Sequence, residues 1–121
     1  MQLKALMNSI SDMALVLDNN CQIHEVNQAV KNQHGEKVVG SLVGNWLGCH
    51  FSEWSGGCGR TADCQRCAFR RLVHLTITEG HAFDSVPVPC RIDADFYTAT
   101  ISTSPLGNRA LVQIHAMEPI I

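Results

Sequence analysis

The chain predicts an α+β fold in a single domain. Strand-like and helical runs are segregated: two short strands, short helices and one longer helix come first, then three strands in succession. The length of 121 residues is that of one domain, and such a chain buries about two-thirds of its unfolded surface without needing a staple. Hydrophobic residues make up 45% of it, the range of packed globular proteins rather than disordered ones.

Each element has its own signal. Leu3, Leu6, Met7, Ile10 and Met13 recur at helical spacing, so residues 1–13 are assigned an N-terminal helix. Its stripe suits either packing on its own domain or a short dimer seam. Ala14–Leu17 is short, apolar and partly branched, a buried strand. Asp18-Asn19-Asn20 is turn chemistry, because Asn and Asp tolerate positive φ. Gln22–Val26 is then the returning strand of a hairpin. "QAVKNQHGEKVVG" reads as a short helix ended near Gly35 and a second brief turn into Gly40.

From Cys67 a longer helix follows. It carries Ala68, Phe69, Leu72, Val73 and Thr76 on one face, Arg66 and Arg70 on another, and Gly80 as a left-handed stop. "HAFDSVPVPCRI" contains Pro87 and Pro89, which cannot donate ladder bonds, so it belongs at a sheet edge. "ADFYTATISTS" alternates, Pro105–Asn108 turns the chain, and "RALVQIHAM" is the last strand.

The totals exclude several classes. A formal net charge of −2 gives no global basic field, so no nucleic-acid partner is expected. No stretch reaches the ~18 apolar residues of a membrane span. "MQLKALMNSISDM" lacks the marks of a secretory signal, which makes a cytoplasmic location with reduced thiols the expectation. There is no Gly-rich phosphate loop and no GxSxG elbow, so the domain is not expected to be an enzyme by itself.

Four of the six cysteines crowd into residues 48–67, at Cys49, Cys58, Cys64 and Cys67. Thiolates are soft ligands, and four of them suit Zn²⁺ or an iron–sulfur cluster. If Thr61 or Asp63 caps the helix, Cys64 and Cys67 lie one turn apart on one face at its positive end, where thiol pKa falls. Gly56, Gly57 and Gly59 bracket Cys58 and let backbone N–H groups approach a sulfur. Arg60, Arg66 and Arg70, with Arg71, are four of nine Lys and Arg, suited either to offset the thiolate charge or to form a solvated helix face. His50 abuts Cys49 and is assigned beside the site rather than in it. Trp46 and Trp54 flank the same cysteine. Cys21 and Cys90 lie beside strands and read as buried free thiols.

"LMNSISDMALVLDNNCQIHEVNQAV", "EKVVGSLVGNWL" and "FYTATISTSPL…ALVQIHAMEP" together resemble a PAS domain, a sensory module, over nearly the whole chain. The resemblance implies a five-stranded antiparallel sheet with helices across one face and the proline-bearing strand at an edge. "GCH…GGCGRTADCQRCAFRRLV" is similar to an insert in a subset of bacterial PAS domains attached to histidine kinases and related output modules. Other PAS sensors hold an oxygen-labile iron–sulfur cluster on four cysteines at different spacing. PAS domains of other classes bind heme or flavin, but no such ligand is assignable here.

The function expected is signal input to a bacterial regulator, such as a histidine kinase in a two-component system, with redox or gas sensing at a four-cysteine metal or iron–sulfur site. The alternative is a PAS-like interaction module whose zinc is a structural clip. The partners expected are a second copy, through the N-terminal helix, and an output kinase or regulator domain.

Overall fold

The computed structural model describes residues 3–34, 38–41, 68–92 and 95–120. In chain order these form α1 (Leu3–Asn8), β1 (Met13–Leu17), β2 (Ile23–Val26), α2 (Gln28–His34), α3 (Ala68–Glu79), β3 (Phe83–Ile92), β4 (Asp95–Leu106) and β5 (Arg109–Pro119). The five strands make one antiparallel sheet in the order β2-β1-β5-β4-β3. The strand carrying Pro87 and Pro89 is at the edge, as their missing donors require. Both prolines are exposed, while Val88 between them is fully buried against the inner face.

Strand alternation gives the sheet two apolar faces. Leu15 and Leu17 of β1, Val88 of β3, Ile101 of β4, and Val112 and Ile114 of β5 pack with Val30 of α2 and Phe69, Leu72 and Val73 of α3. Thr76 lies on the same helix face, and its buried hydroxyl meets that of Thr103 on β4 at 2.6 Å. Ala14, Val16 and Leu111 point to the other face, where Met7 of α1 covers them with Leu3 and Ile10. The N-terminal helix therefore packs on its own domain, opposite α3.

That helix is shorter than its stripe suggests. It ends at Asn8, and Met13 begins β1 instead of completing the helix. Ser9 turns its hydroxyl back onto the Leu6 carbonyl at 2.6 Å, the local bonding that makes serine a poor interior helix residue. The carbonyls of Met7, Ile10 and Asp12 all lie within hydrogen-bond reach of the side-chain amide of Asn27 and share its two protons, and the Met7 carbonyl also accepts the Ile10 N–H.

The turns follow their chemistry with one exception. Gly80 ends α3 at φ +63 and Gly107 opens the β4–β5 hairpin at φ +62, the first position of a two-residue II′ turn. A Cβ at either would meet nothing within 4 Å, so the requirement is the backbone angle alone. Between β1 and β2 the left-handed residue is Cys21, at φ 61, not Asn19 or Asn20. Asp18 organises this turn by accepting the N–H groups of Asn20 and Gln22 on one carboxylate oxygen, which leaves the strained position to the residue between Asn20 and Gln22.

Candidate functional site

Cys49, Cys58, Cys64 and Cys67, with His50, Arg60 and Arg66, lie outside the described residues. Arg70 is described. Its Nη1 donates to the Asn20 carbonyl at 3.3 Å, so its guanidinium meets the β1–β2 turn. One turn further along α3, His74 Nδ1 lies 2.9 Å from Asn19 Oδ1. The helix thus faces two ways: Phe69, Leu72, Val73 and Thr76 enter the core, while Arg70 and His74 hold the hairpin turn.

Residues 40–41, the last described before the cysteine segment, meet the same hairpin. Gly40 N–H donates to the Ile23 carbonyl at 2.7 Å, and Ile23 N–H donates to the Ser41 carbonyl at 2.8 Å. Gln22 Nε2 adds a bond to the Gly40 carbonyl at 3.1 Å. Residues 40–41 before the segment and Arg70 just after it therefore meet one short stretch, residues 20–23. Cys21 sits within that stretch with its side chain buried, as its sequence context indicates. The Cys90 side chain is outside the described residues.

The hairpin turn carries its own electrostatics. His24 Nε2 lies 2.8 Å from Asp18 Oδ2. Partial burial pushes the Asp18 carboxyl upward, but the hydrogen bonds from His24, Gln22 N–H and Asn20 N–H, with the charge of His24, outweigh it and hold the carboxyl below its ordinary 3.8. A carboxylate depressed in the folded state adds stability above its unfolded pKa and loses it as pH falls through the folded one. Asp18→Asn is expected to lower stability near neutrality, where the ionised carboxylate contributes, and to flatten the acid limb so that the two chains converge as pH falls below about 4. Urea unfolding across that range reads it, and an unchanged acid limb would show that the turn does not draw on the ionised carboxylate.

Asn27 is a junction that sequence reasoning passes over. It is 1% exposed. Its Oδ1 accepts the N–H of Ala14 and of Val30, the second being the N-cap bond of α2. Its Nδ2 holds the three carbonyls at the end of α1 described above. An Asn between a strand and a helical stretch is a capping signal, but its reach to a segment more than ten residues back is not legible in sequence. Among the described residues no three His, Cys, Asp or Glu side chains come together as a metal site, and no helix is long and apolar enough to cross a membrane.

No curated protein matches the chain in sequence. Its fold is similar to that of a chain in the E. coli DhaR(N)–DhaL complex, with a TM-score of 0.54 and 15% identity, covering 95% of this chain and 35% of that one. This chain thus spans about a third of that relative. It is also similar to the PAS domain of nitrogen regulation protein NR(II) from Vibrio parahaemolyticus, with a TM-score of 0.53 and 16% identity, covering 99% of this chain and 100% of that one. These likenesses are of fold. In sequence, residues 1–66, more than half of the chain, match the family model described as "PAS domain". With the antiparallel sheet and its strand order already established, that match places the chain in the PAS domain family, whose members are sensory modules.

Proposed function

We propose that this PAS domain is the signal-input module of a bacterial regulator of the histidine-kinase type, and that Cys49, Cys58, Cys64 and Cys67 hold a metal ion or iron–sulfur cluster whose redox or gas chemistry is the signal. The observation that carries the reading is the place of α3. It begins at Ala68, directly after Cys67. A change in coordination at Cys64 and Cys67 would act on a helix whose inner face is set in the core and whose outer side holds the hairpin turn. Four thiolates are a donor set for Zn²⁺ or iron–sulfur, and the proximity in sequence of Arg70 to Cys67 supports a charge-compensating role for it beside its bond to the Asn20 carbonyl.

Anaerobic purification tests this. Broad visible absorption that bleaches in air, with iron and sulfide in the protein, supports the sensing site. A colourless protein with one equivalent of zinc turns the reading to a structural clip. Fresh protein that holds neither metal, with its thiols titrating as free, sinks both.

The proposed partners are an output kinase or regulator domain and a second copy through the outward side of α1. Met7 is buried on its own sheet, but Leu6 is 40% exposed, an apolar residue free to meet an equivalent one. Light scattering is expected to give twice the chain mass at micromolar concentration, and a monomer there removes the dimer.

A further inference from the structure

Two β-bulges flank one hydroxyl on the outer sheet face. In β5 the register against β4 shifts across His115, so that Ile101 pairs with Ile114 and Thr100 with Ala116. In β3 it shifts between Phe83 and Val86, and Ser85 there adopts φ 51, a conformation unfavourable for a non-glycine residue. Bulges re-aim side chains, and both of these aim at Ser102 of β4. His115 Nε2 lies 2.7 Å from Ser102 Oγ. From the other side Ser85 N–H donates to the same oxygen at 2.9 Å, and Asp84 Oδ1 lies 3.3 Å from it. Beyond the imidazole, Asp12 Oδ2 is 2.7 Å from His115 Nδ1.

Asp12, His115 and Ser102 stand in the order of an orienting acid, a base and a nucleophile, but two contacts argue against nucleophilic catalysis. The Ser85 N–H is spent on the serine oxygen and is not free to bind an oxyanion. The Asp84 carboxylate opposes negative charge developing beside it.

Counting protons gives a different role. Asp12 only accepts, so Nδ1–H must donate to it. With one ring proton, Nε2 is a bare acceptor, takes the only hydroxyl proton of Ser102, and leaves the Ser102–Asp84 contact with none. With two, Nε2–H donates to Ser102 Oγ and the hydroxyl donates to Asp84, so every contact in the chain is a hydrogen bond. His115 and Asp12 side chains are 29% and 39% exposed and border a cleft of about 270 Å³ with Ser11, Met13, Ala29 and Met117, so solvent protons reach the ring.

We propose that Asp12, His115, Ser102 and Asp84 form a proton-dependent latch across the outer sheet face: it ties the α1–β1 connection, β5, β4 and β3 together while His115 carries two ring protons, and it releases the Asp84 arm when one is lost. The charged groups facing the imidazole are Asp12 from the α1–β1 connection and, through Ser102, Asp84 from β3. The cleft wall from α2 is Ala29, uncharged. Glu118 and Arg109 lie on either side of His115 along β5, toward the two ends of its strand. The latch uses no residue of the cysteine segment, so it stands or falls independently of the metal assignment.

Amide exchange of Ser85 reads the latch through its neighbour Asp84: the Ser85 N–H can bond the Ser102 oxygen in both states, but loss of the Asp84 arm frees the β3 bulge that holds it there. After correction for intrinsic rates, its protection is expected to fall about tenfold between pH 5.5 and pH 8, the range in which imidazoles lose their proton. It should be level across that range in His115→Gln and in Asp84→Ala, and should still fall in His24→Gln. Level protection in the unmodified chain overturns the latch. So does a fall that persists in Asp84→Ala, an exposed position whose variant decides the matter even if His115→Gln does not fold. A fall abolished by His24→Gln assigns the effect to the Asp18–His24 pair and overturns it too.

Discussion

Asn27→Ala is expected to lower the free energy of unfolding by about 3 kcal/mol or more, combining a lost N-cap with buried groups left unpaired. The side chain is buried, and alanine supplies neither its acceptor nor its donor. Ala14 and Val30 N–H lose Oδ1, and the carbonyls of Ile10 and Asp12 lose Nδ2, as does that of Met7, which keeps the Ile10 N–H. The backbone bonds Asn27 makes with Ala14 and Lys31 remain, so β1 and α2 keep a partial anchor. Urea unfolding measures the loss. Asn27→Asp separates its parts: the cap of α2 survives, while the donor is replaced by a charge facing three carbonyls. Amide exchange in that variant should rise at the end of α1 and in residues 9–12, and change little in α2. A total loss for Asn27→Ala under about 1 kcal/mol, the scale of a simple cap, would mean that the three carbonyls find water without cost.

Cys64→Ser is expected to reduce bound metal to below about one-tenth of that in the unmodified chain, because a serine hydroxyl is not a soft anionic ligand near neutral pH. Loss of the signal response should accompany it. Cys21→Ala is the matched control: its thiol lies in the core beneath the hairpin turn, so the metal content should be unchanged. Inductively coupled plasma analysis of anaerobically prepared protein reads both variants. Full metal content in Cys64→Ser removes that residue from the ligand set. Loss of metal in Cys21→Ala would move the site toward the core.

The sheet edge was legible in the chain because its cause is local. A proline lacks an N–H wherever it stands, and Pro87 and Pro89 mark β3 as an edge before any partner strand is known. The inner face of α3 was legible for a similar reason, since Phe69, Leu72, Val73 and Thr76 are set on one side by the helical period alone.

What the chain alone did not show depends on residues distant in sequence meeting in space. The N-terminal stripe continued to Met13, yet the helix stops at Asn8, where the amide of Asn27 takes the carbonyls that follow. The turn residues Asn19 and Asn20 suited positive φ, yet Cys21 adopts it, because Asp18 claims the N–H groups on either side of it. His115 was one of six scattered histidines; only two strand bulges, in β3 and β5, bring it and Asp84 to one serine hydroxyl. Period and composition determine which face a residue prefers, because these act within a few residues of chain. Hydrogen-bond partners across strands are decided by register, and a single-residue shift in register leaves no mark in the sequence.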